Sequence, residues 1–339
     1  MTISRRTSVF SGLVIVGLIG LAPWSGGSQI AAQGRGGAAA QGRATAAQPT
    51  PTPLPSGPPE YGPAKGTLVI VGGGSTDGTT IMEKFIELGG GAENGKFVIV
   101  PTNNGNRNND GSIKKYDDAT VLAPYLKRGL KNVKMLHTAD PKVADTPEFA
   151  SVLKDATAVW FEGGRQWNCV DSYAGTLTLR EFHNVLERGG VIGGSSAGAT
   201  IQGDYLVRGD TSGPDIMMTE EKNHQKGFEF LRKVAIDQHI NTRLRWDDLD
   251  AVIKKYPNLL GIGLSEGTAI VVTGDKFEVL GKWKVAVHDN THLYQPWEKP
   301  YYLLSQGDVY NMKTRKIEKL GTGSTPPRRG EAVVAGESR

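Results

Sequence analysis

The segment at residues 190–199, with the sequence GVIGGSSAGA, constrains the fold of this chain more than any other stretch. A short apolar run enters a Gly-x-Ser-x-Gly pattern, and small residues suited to the start of a helix follow it. Gly194 and Gly198 flank Ser196, and residues without a Cβ at these places leave room for a sharp turn between a strand and a helix. The pattern predicts that Ser196 projects its hydroxyl at the edge of a sheet. The backbone N–H of Ala197 is then expected to lie close enough to stabilise an oxyanion.

Apolar runs alternate with amphipathic segments along the middle of the chain. Residues 67–71, with the sequence TLVIV, are mostly β-branched, as expected of a strand buried on both faces of a parallel sheet. Similar runs follow at residues 96–100, 132–137 and 157–161. This alternation predicts an α/β fold with a doubly wound, mostly parallel sheet, in which ligands bind at the carboxyl ends of the strands. Residues 269–280, 284–288 and 301–320 predict antiparallel hairpins that cover a sheet edge.

A glycine-rich turn at residues 72–74 raises the alternative of a dinucleotide-binding loop. Its spacing is not Gly-x-Gly-x-x-Gly, and the next strand ends without an acidic residue that would hold a ribose. The sequence therefore disfavours a dinucleotide and predicts no cofactor. No His-Glu-x-x-His pattern or cluster of histidine and cysteine is present, so no metal is predicted either.

The two ends of the chain differ in composition from its middle. Residues 1–32 carry Arg5 and Arg6 before an apolar run and then small residues, which predicts an export signal and a periplasmic or secreted protein. Twin-arginine export and a retained anchor stay open as alternatives. Residues 33–65 are rich in Ala, Gly, Gln, Thr and Pro and predict a disordered linker, as residues 321–339 predict a disordered tail. A single α/β domain is thus expected over residues 66–320.

Charge and cysteine content bear on the partners of this domain. The formal net charge is +4, and the lysines and arginines are scattered, which gives little support to nucleic-acid binding. Cys169 is the only cysteine, so no internal disulfide can form. Stable membrane insertion is not expected once the signal is removed, and a homodimer stays open.

A serine nucleophile needs a base, and the base needs a group that orients it. Among six histidines, His239 is the preferred candidate because it follows an apolar stretch and is surrounded by hydrogen-bonding residues. Glu266 closes another short apolar run, where a carboxylate needs a partner such as a histidine N–H. Asp237 is the competing orienting group. The order Ser196, His239, Glu266 differs from the serine, acid, histidine order of α/β-hydrolases.

Four motifs, in this order along the chain, carry a resemblance to a known family. They are residues 161–166 (FEGGRQ), 193–199 (GGSSAGA), 237–245 (DQHINTRLR) and 261–269 (GIGLSEGTA). Together they resemble the cyanophycinase branch of peptidase family S51, whose other branch comprises the aspartyl dipeptidases. The similarity covers most of residues 66–290. It implies a flavodoxin-like fold of the class I glutamine amidotransferase type and a serine peptidase that acts on aspartyl or β-aspartyl bonds.

The resemblance also implies roles for individual residues. Ser196 matches the nucleophile of the family, His239 its base and Glu266 its acid. The positions that match the lining of the substrate pocket are Gln166, Asp237, Gln238, Arg243 and Arg245. The chain departs from the cyanophycinase pattern at Asp248, where that pattern carries a further arginine.

The chemistry of these residue types agrees with the implied activity. Arginines at i and i+2 after the histidine can present guanidinium groups to carboxylates, and Asp237 can meet an arginine side chain or an α-amino group. The sequence predicts a serine exopeptidase for cyanophycin or for aspartyl and β-aspartyl peptides, with the oxyanion held by the N–H groups of Ala197 and Gly164. Two alternatives stay open: an esterase or amidase with the same three residues, and a non-catalytic binding module of the same fold.

Overall fold

The computed structural model describes residues 58–322. The predicted export signal, most of the predicted linker and nearly all of the predicted tail lie outside these residues. The strands are β1 Thr67–Val71, β2 Lys96–Val100, β3 Asn132–Met135, β4 Ala158–Phe161, β5 Val191–Ser195, β6 Val234–Gln238, β7 Leu260–Leu264, β8 Thr268–Thr273, β9 Lys276–Gly281, β10 Val285–His288, β11 Tyr302–Leu304, β12 Val309–Asn311 and β13 Lys316–Lys319. The α-helices are α1 Ile81–Leu88, α2 Gly91–Asn94, α3 Asp118–Lys127, α4 Pro141–Ala144, α5 Pro147–Ala150, α6 Trp167–Tyr173, α7 Leu177–Glu187, α8 Ala197–Thr200 and α9 Leu249–Lys255.

A nine-stranded sheet forms the centre of the fold, in the order β13-β12-β9-β8-β1-β5-β4-β2-β3. The strands from β1 to β3 in this order pair in parallel. The predicted hairpins β8–β9 and β12–β13 form, and they extend the sheet beyond β1 as antiparallel strands. The expected α/β class with a largely parallel core is therefore confirmed.

Both faces of the sheet are buried, as the continuous apolar strands predicted. Leu68 and Ile70 of β1 pack into one core together with Phe182 of α7. Val69 and Val71 point to the opposite face and pack with a core that includes Phe85 of α1 and Leu122 of α3. Alternate residues of one strand thus contact helices on both sides, which is the arrangement of a doubly wound sheet.

A second sheet of four strands, in the order β11-β10-β7-β6, packs against the first core. Its strands β6 and β7 are parallel, and Asp237 lies opposite Gly263. The sequence did not predict this separate sheet, because the apolar pattern of a strand does not indicate which sheet it joins. Its position matters because the segments with the candidate histidine and glutamate follow β6 and β7.

The packed domain begins earlier than the predicted boundary at residue 66. Tyr61 is only 5% exposed, and its backbone N–H and that of Glu60 donate hydrogen bonds to Asp275 Oδ1 at 2.8 and 2.6 Å. Arg232 donates hydrogen bonds to the carbonyl oxygens of Pro59 and Gly62, both at 2.7 Å. The prediction of disorder up to residue 65 is wrong for these residues, because partners 170 or more positions away satisfy their backbone groups.

Within residues 58–322 the structure holds no helix with the length and apolarity needed to cross a membrane.

Candidate active site

Ser196 lies at a strained turn between β5 and α8. Its backbone has φ 59° and ψ −116°, a conformation that residues with a Cβ rarely adopt. A Cβ at Gly198 would lie 2.1 Å from the carbonyl oxygen of Phe161, and a Cβ at Gly194 would lie 2.3 Å from the carbonyl oxygen of Gly198. Both flanking glycines are therefore sterically required, as the Gly-x-Ser-x-Gly pattern predicted.

The structure brings the serine, histidine and glutamate together in one hydrogen-bonded chain. Ser196 Oγ lies 2.8 Å from His239 Nε2, and His239 Nδ1 lies 2.5 Å from Glu266 Oε1. A carboxylate only accepts hydrogen bonds, so Nδ1 carries the proton and Nε2 is free to accept the serine proton. Of the two candidate orienting groups, Glu266 rather than Asp237 contacts the imidazole.

The end of β1 holds all three residues through its backbone. The carbonyl oxygens of Val71 and Gly72 accept the N–H groups of Ser196 and His239 at 3.0 and 2.8 Å. The next carbonyl oxygen, that of Gly73, accepts the N–H of Gly267, the neighbour of Glu266, at 2.9 Å. Three consecutive carbonyl groups of one strand end thus fix the relative positions of segments that come from two sheets.

The glycine-rich turn after β1 also supplies space for the imidazole and the carboxylate. A Cβ at Gly73 would lie 2.2 Å from His239 Cε1, and a Cβ at Gly74 would lie 2.7 Å from Glu266 Oε2. Both glycines have positive φ, at 104° and 67°. From the sequence this turn was interpreted only as a possible cofactor loop, and its contact with the site was not predicted. The sequence feature that could have indicated this contact is the run of glycines directly after a buried strand.

Two further residues that sequence reasoning missed hold Glu266. Thr242 Oγ1 donates a hydrogen bond to Glu266 Oε1 at 2.9 Å, and Asn241 Oδ1 accepts the backbone N–H of Glu266 at 2.9 Å. Both lie in the motif at residues 237–245, between the histidine and the arginines, so their presence there was the available signal.

Burial and neighbouring charges shift the pKa of both His239 and Glu266. Burial lowers the pKa of His239, and the positive charges of Arg243 and Arg245 act in the same direction, against the raising effect of Glu266. The pKa of Glu266 is also lowered, because hydrogen bonds from His239 and Thr242 outweigh the raising effect of its burial. Near neutral pH the site therefore holds a neutral imidazole beside a carboxylate, which is the protonation state that a general base requires.

The two predicted oxyanion donors come from different segments, one directly after Ser196 and one after β4. Ala197 is the first residue of α8, and Gly164 lies in the turn after β4 with φ 128°. The neighbouring Gly163 contacts the serine, since a Cβ there would lie 3.3 Å from Ser196 Cβ. Within residues 58–322 neither the N–H of Ala197 nor that of Gly164 donates a hydrogen bond to another backbone group, so both remain available to an oxyanion.

The predicted pocket residues differ in how far the chain itself engages them. Gln166 Nε2 donates hydrogen bonds to the carbonyl oxygens of Val207 and Arg208, both at 2.8 Å. Asp237 is fully buried, and both of its carboxylate oxygens accept hydrogen bonds from Arg208, at 3.0 and 3.2 Å. The cation that Asp237 was expected to meet is therefore supplied within the chain. Sequence reasoning missed Arg208, which lies in a polar loop and is 29 positions from its partner.

Gln238 and Arg245 keep polar atoms without a partner. The buried Gln238 Oε1 and Arg245 Nη1 make no hydrogen bond within the described part of the chain. The Arg245 side chain is only 10% exposed, and its nearest carboxylate, that of the exposed Asp215, is 4.0 Å away. Arg243 is exposed, and its positive charge helps to lower the pKa of both His239 and Glu266. Buried polar atoms without a protein partner are usually satisfied by water, an ion or a ligand, so these two atoms are available to a polar group of a substrate.

An α/β fold with a serine at a strained strand–helix turn, a histidine on its hydroxyl and a carboxylate on the histidine defines a serine-type hydrolase. Comparison with known proteins narrows this class. The family model for peptidase family S51 matches residues 68–280. The chain therefore belongs to peptidase family S51 and is a serine-type peptidase.

Individual relatives agree with this family. The chain is 27% identical to a cyanophycinase from Geminocystis herdmanii over 268 residues, which are 73% of this chain and 94% of that protein. It is 25% identical to a cyanophycinase from Synechococcus elongatus over 273 residues, which are 75% of this chain and 81% of that protein. The crystal structure of a peptidase from an acI-B1 Actinobacterium superposes with a TM-score of 0.53 at 23% identity. It covers 73% of this chain and 97% of its own, and confirms the fold.

Proposed function

We propose that this protein is a serine exopeptidase that hydrolyses aspartyl or β-aspartyl bonds, in cyanophycin or in related peptides, through Ser196, His239 and Glu266. The observation that carries the proposal is the continuous chain of hydrogen bonds from the serine hydroxyl to the carboxylate, 2.8 and 2.5 Å long. The names of the curated relatives, which are cyanophycinases, support the substrate class.

The proposed reaction uses the groups in the order of this chain. His239 Nε2 takes the proton of Ser196 Oγ while the oxygen attacks the substrate carbonyl, and the carbonyl oxygen becomes an oxyanion held by the N–H groups of Ala197 and Gly164. The tetrahedral intermediate then expels the amine, which receives the proton from His239, and leaves an acyl-serine ester. A water molecule, deprotonated by His239, attacks the ester. The second tetrahedral intermediate expels Ser196 Oγ, which takes the proton back from His239, and the acid product leaves.

Acidic substrates are favoured by the charges around the serine. Arg245 has a buried, unpaired nitrogen, and Arg243 adds a second positive charge at the surface of the same region. A guanidinium removed from water binds a carboxylate with charge-assisted hydrogen bonds. An aspartate-rich peptide or polymer is therefore the partner that this site fits.

The first test replaces the nucleophile. Ser196→Ala is expected to lower kcat/KM on a β-aspartyl dipeptide by about 10⁴-fold or more, because the covalent intermediate can no longer form. Ser151→Ala removes an exposed serine hydroxyl elsewhere and should keep wild-type activity. Activity of Ser196→Ala equal to that of the wild type would rule out the proposal.

Two competing functions make different predictions. An esterase or amidase with the same three residues would show no preference for acidic substrates, so Arg245→Ala and Arg243→Ala would leave its selectivity unchanged. A non-catalytic binding module would not react at Ser196 with a fluorophosphonate probe. Mass spectrometry of the products from cyanophycin and from a panel of isoaspartyl dipeptides identifies the bond that is cleaved.

Export and assembly remain proposals of the sequence. An exported enzyme would act on peptide or polymer outside the cytoplasm, which suits the signal predicted for residues 1–32. Cell fractionation and N-terminal sequencing of the mature protein test that prediction, and sedimentation analysis tests whether the protein forms a homodimer.

A further inference from the structure

The guanidinium group of Arg208 is bound to Asp237, near the carboxyl end of strand β6. Arg208 is 2% exposed and Asp237 is fully buried. Arg208 Nε donates to Asp237 Oδ1 at 3.0 Å, and Arg208 Nη2 donates to Asp237 Oδ2 at 3.2 Å. These two parallel hydrogen bonds are the paired geometry in which guanidinium and carboxylate groups recognise each other.

The remaining nitrogen of Arg208 is also engaged, and a second carboxylate joins the pair. Arg208 Nη1 donates to the carbonyl oxygen of Pro214 at 2.8 Å, and Nη2 also donates to Asp248 Oδ2. Asp248 precedes helix α9, and its side chain is 36% exposed. Two carboxylates and one carbonyl oxygen thus surround a single guanidinium, and every nitrogen of Arg208 already donates at least one hydrogen bond within the chain.

The backbone of Arg208 is fixed to the turn beside the candidate nucleophile. Arg208 has φ 55°, and its carbonyl oxygen accepts a hydrogen bond from Gln166 Nε2 at 2.8 Å. Gln166 comes two residues after Gly164 of the predicted oxyanion turn, and Asp237 comes two residues before His239. The guanidinium is therefore held between the two segments that border Ser196.

The contacts of Arg208 are those that an arginine side chain of a substrate would make with Asp237. We propose that Arg208 fills the subsite at Asp237 that would otherwise bind a guanidinium group of the substrate. This peptidase would then select aspartyl or isoaspartyl peptides without an arginine side chain at that subsite. This inference rests on the proposed function and narrows its substrate class. It assigns to Arg208 and Asp248 a role in specificity that acts through occupation of Asp237.

The neighbouring charges act in the same direction. Arg245 lies close enough to Arg208 for their positive charges to interact, and its Nη1 is buried without a partner. A substrate guanidinium would be a third positive charge beside Arg208 and Arg245, and the negative charge of Asp237 is already paired with Arg208. A substrate carboxylate would find the unpaired nitrogen of Arg245, and a neutral donor would find Gln238 Oε1.

The test compares two substrates of nearly equal shape, β-Asp-Arg and β-Asp-citrulline, which differ in the charge of the side-chain end. The wild type is expected to hydrolyse β-Asp-citrulline with at least a tenfold higher kcat/KM. Arg208→Ala exposes Asp237 and Asp248 and should shift the ratio toward β-Asp-Arg by a hundredfold or more. A wild type that prefers β-Asp-Arg, or an unchanged ratio in Arg208→Ala, overturns the inference.

A matched control separates occupation of the subsite from loss of any arginine. Arg180→Ala removes a 65% exposed arginine from a 3.7 Å ion pair with Asp145, and its substrate ratio should equal that of the wild type. Arg208→Gln keeps much of the side-chain volume without the charge, and it serves where Arg208→Ala does not fold.

A binding measurement keeps the inference separate from the proposed peptidase activity. Calorimetry with methylguanidinium should detect binding to Arg208→Ala/Ser196→Ala at millimolar concentrations and none to Ser196→Ala alone. Adding Asp237→Asn should remove this binding, and methylammonium, which lacks the planar fork, should bind at least tenfold more weakly. If no dipeptide is hydrolysed but methylguanidinium binds as expected, the proposed function fails and the subsite assignment stands. If the folded variant with Arg208 removed binds no methylguanidinium, the assignment is wrong.

Discussion

At the scale of single residues, the site depends on backbone conformations that only its neighbours make tolerable. Ser196 and His239 both have positive φ, at 59° and 57°. Such conformations cost roughly 1 to 3 kcal/mol each for a residue with a Cβ. They persist because the carbonyl groups of Val71 and Gly72 hold the two N–H groups. The strain sets the direction of both side chains, so the geometry of the hydroxyl and the imidazole is fixed before substrate arrives.

Gly73→Ala tests the close contact between the glycine turn and the imidazole. The added Cβ would lie 2.2 Å from His239 Cε1, so the ring must leave the position in which it contacts Ser196 Oγ. We expect kcat/KM to fall by about a hundredfold or more. Gly91→Ala is the control, since Gly91 also has positive φ, at 79°, but a Cβ there meets nothing within 4 Å. Gly91→Ala should lose about 1 kcal/mol of unfolding free energy from its backbone conformation alone and keep its activity, whereas Gly73→Ala should lose more stability and also lose activity. Equal activity in the two variants would contradict this role of Gly73.

Glu266→Gln tests the orientation and the charge that Glu266 gives to His239. The amide keeps the shape of the side chain but removes the negative charge, and kcat is expected to fall by about 10³- to 10⁴-fold. Since the base acts when deprotonated, wild-type activity should rise with pH through a pKa below 6.5, the ordinary value for histidine. Loss of the carboxylate lowers this pKa further, so the acid limb of the pH–rate profile should move to lower pH. Glu87→Gln on α1 removes an exposed carboxylate and should change neither quantity. A limb that moves to higher pH would show that Glu266 does not stabilise the charged imidazole.

At the scale of elements, the loop between α8 and β6 is held against helix α6 by a buried histidine. His224 is 6% exposed, with Nδ1 2.8 Å from Glu221 and Nε2 2.7 Å from Asp171 of α6. A neutral imidazole has one N–H, so both carboxylates accept a hydrogen bond only when His224 is protonated. Burial lowers its pKa, but the bonds and charges of Asp171 and Glu221 outweigh this effect and raise it. The same loop carries Arg208 at its start.

The raised pKa of His224 predicts the pH dependence of stability. Because the folded protein holds this proton more tightly than the unfolded chain, the contribution is complete below pH 6.5 and is lost as the pH rises through the raised value. His224→Gln should therefore reduce the unfolding free energy at low pH and flatten its decline between neutral and mildly alkaline pH. Urea denaturation at several pH values measures this. The half-buried His292 serves as a control. A decline that persists in His224→Gln would assign the pH dependence to another group.

At the scale of the whole molecule, the N-terminal segment at residues 59–62 belongs to the folded domain. It contacts Arg232, just before β6, and Asp275, in the turn between β8 and β9. β6 and β8 belong to different sheets. The segment therefore ties the second sheet to the antiparallel side of the first. It contacts the chain just before the start of β6, whereas His239 of the site follows the end of β6.

Truncation tests this boundary. A chain that begins at residue 58 should match the full chain in unfolding free energy. A chain that begins at residue 66 loses the buried Tyr61 ring and leaves Arg232 and Asp275 without these partners, which is expected to cost about 3 kcal/mol or more. Urea unfolding of the two truncated proteins gives the difference directly. Equal stability would mean that the segment packs on the domain without stabilising it.

The local pattern of the chain determined the class of the fold and the identity of the candidate groups. Continuous apolar residues indicate buried strands such as Thr67–Val71. The glycines around Ser196 indicate the sharp turn, because a Cβ at those positions would collide with the backbone. His239 and Glu266 were recognisable because each follows an apolar run, and because the motifs around them resemble a family. These are properties of neighbours in sequence, so they can be read without knowledge of the rest of the molecule.

Only the tertiary structure decided how these groups are paired. His239 and Glu266 follow strands of the second sheet, and the carbonyl groups at the end of β1 align their segments with Ser196. Arg208 pairs with Asp237. All of these arrangements depend on contacts between segments that are distant in sequence. A buried charge takes whichever partner the packing brings within 3 to 4 Å, and a sequence pattern does not encode that distance. The residues that do the proposed chemistry could be predicted, whereas the charge that a substrate meets beside them depends on the fold.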